Sequence, residues 1–78
     1  MFINMQERIS KKRLIEFFME AQSHSGLPFI NPLITKYINL IASIPIDEDV
    51  QEDFLNEMLS YYMIDVHNIK HNWKSYDW

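Results

Sequence analysis

The chain has 78 residues, 47% of them apolar and eleven aromatic, which is enough for one small domain and excludes a chain disordered throughout. It has no cysteine, which excludes disulfides and thiolate–zinc sites as reinforcement. Its net charge is −4, with Arg8, Lys11, Lys12 and Arg13 crowding the start and the acids crowding the middle.

No long apolar run follows MFINMQERISKKR, so a secretory signal is not expected. The most apolar stretch, LITKYINLIASIPI, contains Lys36 and falls short of the ~20 residues that a membrane span requires. The expectation is a soluble, cytoplasmic protein that does not enter a membrane. The frequent isoleucine, asparagine, lysine and phenylalanine suggest an AT-rich genome, compatible with a low-GC bacterium or its phage. A core this small supplies only about 3–5 kcal/mol, so burial against a second copy or a partner would add to it.

In chain order, the pattern predicts an all-α, three-helix bundle with helices over residues 4–25, 32–44 and 48–74, forming one domain over residues 1–78. In the first helix Leu14, Ile15, Phe17, Phe18 and Ala21 share a face, and Lys12, Arg13, Glu16 and Glu20 take the other. Phe2, Met5 and Ile9 fall on the side opposite Leu14 and Phe18. The start can lie near Ser10 or near Asn4. Asn4 is preferred, because Asn4 and Glu7 have capping-box spacing and three cations in a first turn would oppose the helix dipole.

HSGLPFINP punctuates the chain. Gly26, its single glycine, suits a left-handed helix stop, and Asn31 with Pro32 suits a new start. The second helix carries Leu33, Ile34, Tyr37, Ile38, Leu40, Ile41 and Ile44 over more than half its circumference. It should therefore be central and most buried. Pro45 ends it, and Asp47 can cap the next.

The third helix repeats Leu55, Leu59, Tyr62, Val66, Ile69, Trp73 and Tyr76 at helical spacing, and Val50, Phe54, Met58 and Tyr61 widen the same face. If continuous it would run about 40 Å at 1.5 Å per residue, well beyond its neighbours. Residues 68–78 would then fold back, fray or pack on a partner. Phe2, Met5, Ile9, Met63, Ile64 and Trp78 lie off the core faces, and the tail from Trp73 to Trp78 is free to join them. They suggest a second apolar surface and a homodimer.

The run DEDVQEDFLNE holds six acids in eleven residues. Acids at a helix start complement the dipole and solvate the outer face, and this can account for all six, with Asp47 and Glu48 at the start itself. Asp49, Glu52, Asp53 and Glu57 project opposite the core face and continue beyond the first turn, where the dipole effect fades. They are the candidate docking face for a larger protein with a basic surface.

The run lacks the glycine and the alternating oxygen ligands of a calcium loop. His67 and His71, four residues apart, share a helix face, but HNIKH lacks a glutamate and no nearby acid is phased as a third ligand, so no metal or other cofactor is expected. The acidic start of the third helix would repel phosphates, so specific DNA binding is not expected. A helical nucleic-acid regulator using Arg8, Lys11, Lys12 and Arg13 is the weaker alternative. No nucleophile–base pair or phosphate-cradling loop is present, so no enzyme is expected.

The stretch LIEFFMEAQSHSGLPFINPLITKYINLI, about a third of the chain, resembles the helix–glycine–helix hairpins of small sporulation regulators, the aspartyl-phosphate phosphatases and the biofilm antirepressors. The resemblance implies a helical hairpin. The phosphatases carry Ser-Gln-x-x-Asp on their second helix, and LITKYINLI has no aspartate, so no residue role carries over. The expected function is a small non-enzymatic interaction module that inhibits or regulates a larger protein, with a phage or mobile-element inhibitor suiting its size. The alternative is a structural homo-oligomer using the exposed apolar surfaces.

Overall fold

The computed structural model describes residues 8–46 and 49–78. Expectations resting on Phe2, Asn4, Met5, Glu7, Asp47 and Glu48 lie outside the described residues. The described elements are β1 (Arg8–Ser10), α1 (Lys11–Ser25), α2 (Asn31–Ser43), β2 (Asp49–Gln51), α3 (Glu52–Ser60) and α4 (Val66–Asn72). The architecture is mostly helical, as the periodicity implies. Among the described residues it is four helices and a small antiparallel sheet, and not the expected three-helix bundle.

Helix α1 starts at Lys11 and not near Asn4. Ser10 has extended backbone, and its side chain accepts from the Arg13 N–H at 3.3 Å. Residues Arg8, Ile9 and Ser10 pair with Gln51, Val50 and Asp49. The strand buries Ile9 to 1% exposure, and a buried isoleucine is worth roughly 1.5–3 kcal/mol. That offsets the cost of three cations in the first turn, roughly 0.3–1 kcal/mol each. Lys11 also finds a use at the opposite pole of a neighbour. Its Nζ donates to the carbonyls of Ala42 at 3.2 Å and Ile44 at 2.8 Å, at the C-terminus of α2.

Gly26 closes α1 at φ 62°, the left-handed conformation expected of it. A hairpin follows. The Gln22 amide near the end of α1 donates to the Asn31 carbonyl at 2.9 Å and to the Thr35 hydroxyl at the start of α2. With Lys11 meeting the end of α2, the two helices run antiparallel. Pro32 occupies the first turn of α2 as expected. Asn31 does not cap the helix. Its Oδ1 accepts from the Ser25 hydroxyl at 2.6 Å and so ties the hairpin turn.

Helix α2 is neither central nor the most buried. It packs mainly on α1, buries Ile34 and Ile41, and leaves Leu33 44% exposed.

The expected third helix over residues 48–74 is broken twice. Residues 49–51 are strand, paired with β1. Helix α3 then ends at residues 59–64 in a Schellman turn: the Ile64 N–H donates to the Leu59 carbonyl at 3.1 Å and the Met63 N–H to the Ser60 carbonyl at 3.0 Å. Met63 holds the left-handed position at φ 65°. Leu59 and Ile64 bury themselves beside that turn. Asp65 restarts the chain as the cap of α4, accepting from the Asn68 N–H at 3.0 Å. The Asn56 side chain accepts from the Val66 N–H at 2.7 Å and so fixes the start of α4 on α3.

Residues 73–78 fold back on α1. The Phe17 ring lies 5.3 Å from Trp73, 5.4 Å from Tyr76 and 5.1 Å from Trp78. Arg13 pairs with Asp77 at 3.4 Å. One buried cluster, drawn from β1 and every helix, includes Ile9, Leu14, Ile34, Ile41, Leu55, Ile64 and Val66. No helix among the described residues is long and apolar enough to cross a membrane.

Candidate functional site

The break between α3 and α4 brings together residues that a single helix would keep apart. Helix α4 returns over the first turn of α3, and His67 and Lys70 meet Glu52. Glu52 is 5% exposed. Its Oε1 accepts from Lys70 Nζ at 2.6 Å, and its Oε2 contacts His67 Nδ1. Lys70 Nζ also reaches the Arg8 carbonyl at 3.5 Å, so this cluster joins β1, α3 and α4. The second ring nitrogen of His67 lies 2.9 Å from Asp53 Oδ1.

Burial of the Glu52 carboxylate works against its ionisation. The hydrogen bonds from Lys70 and His67 override that burial and hold its pKa below the ordinary 4.5. The hydrogen bond to Glu52 raises His67 above its ordinary 6.5 against the pull of desolvation, and Asp53 and Asp65 add to the rise. Two carboxylates face the two ring nitrogens, so the arrangement favours the imidazolium, which alone carries two N–H donors.

The shallow depression beside this cluster is lined by Glu52, Asp65, His67, Asn68, Lys70, His71, Lys74 and Trp78. None of these is a hydroxyl or thiol nucleophile. No group of three or more His, Asp or Glu among the described residues is placed to hold a metal ion.

The expected docking acids are therefore divided. Glu52 leaves the outer face and becomes a buried anchor, because α4 covers the first turn of α3. Asp49 is in β2, paired with Arg8 at 3.4 Å. Asp53 and Glu57 remain exposed on α3. They share its outer stripe with Phe54, 49% exposed, and Tyr61, 84% exposed at the helix end. These two aromatics escaped the sequence reading, which assigned both to the core face of a longer helix.

The expected self-association residues divide as well. Ile9 and Ile64 are in the core at 1% and 3% exposure, and Trp78 packs on Phe17. Met63 is exposed at the turn, and Trp73 is half-exposed. In the basic cluster, Arg8 is held by Asp49, Lys11 by α2 carbonyls, and Arg13 by Glu16 and Asp77. No protein-family model, curated protein sequence or solved structure matches this chain.

Proposed function

We propose that the protein is a small non-enzymatic interaction module that inhibits or regulates a larger protein, docking through the outer face of α3. One observation carries this reading. Asp53, Phe54, Glu57 and Tyr61 recur at helical spacing, and all four are exposed. The acids steer a basic surface toward the helix, and the aromatics offer area to desolvate once it arrives. The small size and AT-rich composition suit a phage or mobile-element inhibitor. The intramolecular partners of Arg8, Lys11 and Arg13 weigh against a nucleic-acid interface built from the basic cluster.

The test compares wild type with two variants, Asp53→Lys/Glu57→Lys and Phe54→Ala/Tyr61→Ala, each first checked for unchanged circular dichroism. The baits are exposed to lysate of the source cell or its host, and retained proteins are identified by mass spectrometry. One protein held by wild type and lost from both variants supports the reading. The same protein held equally by all three baits refutes it.

A homo-oligomer is the second reading, favoured by Met63 standing 88% exposed beside Tyr61 and Tyr62. Sedimentation separates the two, because apolar association persists as salt rises and acidic docking weakens.

A further inference from the structure

We propose that protonation of His67 regulates the docking face by holding Asp53 back from a basic partner. The inference rests on the function proposed above, and it stands on the shared geometry of three side chains. Glu52 and Asp53, adjacent in the first turn of α3, address opposite nitrogens of one imidazole. Glu52 is buried, and Asp53 has a side chain 80% exposed. The two contacts therefore differ in what their loss costs. A buried carboxylate without its donor is expensive, and an exposed one is resolvated by water.

An imidazolium donates to both carboxylates. A neutral imidazole has a single N–H. The buried Glu52 retains that donor, together with Lys70. The other nitrogen then turns a lone pair toward Asp53 Oδ1, and the contact becomes repulsive. Asp53 moves into solvent as a free carboxylate on the stripe it shares with Glu57. Raising the pH thus adds one unpaired negative charge to the docking face and leaves the Glu52 anchor in place.

Other charges frame the site. From α3 these are Glu52 and Asp53. The cap of α4 supplies Asp65, and α4 itself supplies Lys70 and His71. β1 supplies the Arg8 carbonyl, which accepts from Lys70. Lys70 is a second partner of Glu52, and among the described residues Asp53 has no such second partner on this cluster, so the change falls on Asp53. By linkage, a cation that occupies Asp53 must also ease the loss of the His67 proton.

The experiment follows the Asp53 carboxyl carbon and the His67 ring by NMR from about pH 5 to about pH 9, the range in which histidine titrates. The expected result is an inflection of the Asp53 signal at the His67 midpoint, absent in His67→Gln. An Asp53 signal flat through that midpoint overturns the proposal and leaves the docking face untouched.

Heptalysine, as a basic probe at low salt, supplies the second arm. It should bind wild type roughly two- to fivefold more tightly above the His67 midpoint than below it, the range of one exposed ion pair. The difference should vanish in His67→Gln and in Asp53→Asn. An equal pH dependence in wild type and both variants overturns the regulation while sparing the docking face. Absence of binding at every pH counts against the docking face itself, and with it the regulatory role.

Discussion

The Ile64 amide donates to the carbonyl of Leu59, five residues back, at 3.1 Å. That bond turns the chain out of α3 and into α4, and both side chains are buried where it forms. The residue between them at the left-handed position is Met63, which pays the steric cost that glycine avoids. Met63→Gly should therefore raise stability by about 0.5–1 kcal/mol. The side chain is 88% exposed and little burial is lost. Urea denaturation followed by circular dichroism measures it, and an unchanged or lower midpoint would show that Met63 is not strained there.

That turn also explains where sequence reading succeeded and where it stopped. Gly26 and Pro32 mark the α1–α2 hairpin because their backbone chemistry is local, and the structure keeps both marks. The α3–α4 turn reads YYMID, with neither glycine nor proline, and Leu55, Leu59 and Val66 keep helical spacing across it by coincidence of phase. All three are buried, in two helices and not one. Asp65 just before Val66 was the available signal, since it has the chemistry of a helix cap. With α4 not seen as separate, nothing along the chain could bring His67 and Lys70 to Glu52, fifteen and eighteen residues away. The short strands were hidden too, because three residues are too few to show alternation.

Stability should depend on pH in a definite sense. The pKa of Glu52 is lowered from 4.5 on folding, so its contribution is complete above that value and is lost as pH falls through the lowered one. The pKa of His67 is raised from 6.5, so its contribution is complete below that value and is lost as pH rises through the raised one. The cluster therefore stabilises the fold most between pH 4.5 and pH 6.5, and less on either side. Urea midpoints measured across this range should trace that plateau in wild type. Glu52→Gln should flatten both shoulders, and shoulders kept unchanged in the variant would assign the pH dependence to other groups.

Phe17 is the anchor of the returning tail, with Trp73, Tyr76 and Trp78 all within 5.4 Å of its ring. Phe17→Ala removes the common partner of three aromatic contacts, each worth roughly 0.5–1.5 kcal/mol beyond burial. We expect a loss of about 2–3 kcal/mol, below the full cost of a deeply buried phenylalanine because this ring is only half-buried. Both tryptophans are in the tail, so their emission should shift to the red under native conditions. A loss of stability without that shift would mean that the tail holds its place by other contacts.

Lys11 presents two opposed electrostatic effects at one residue. Its charge sits in the first turn of α1, where the helix dipole disfavours it, while its ammonium caps the carbonyls of Ala42 and Ile44 at the end of α2. Lys11→Met keeps the aliphatic stem and removes both effects. Relief in the first turn is worth roughly 0.3–1 kcal/mol. The loss is larger: a hydrogen bond to a charged group contributes about 1.5–3 kcal/mol, and the part-buried Ile44 carbonyl is left without that donor. The variant should therefore be less stable by about 1 kcal/mol net. Hydrogen exchange should locate the damage at the last turn of α2 and not at the start of α1. If protection is lost at the start of α1 instead, Lys11 serves its own helix and the antiparallel hairpin is held by Gln22 and its apolar face.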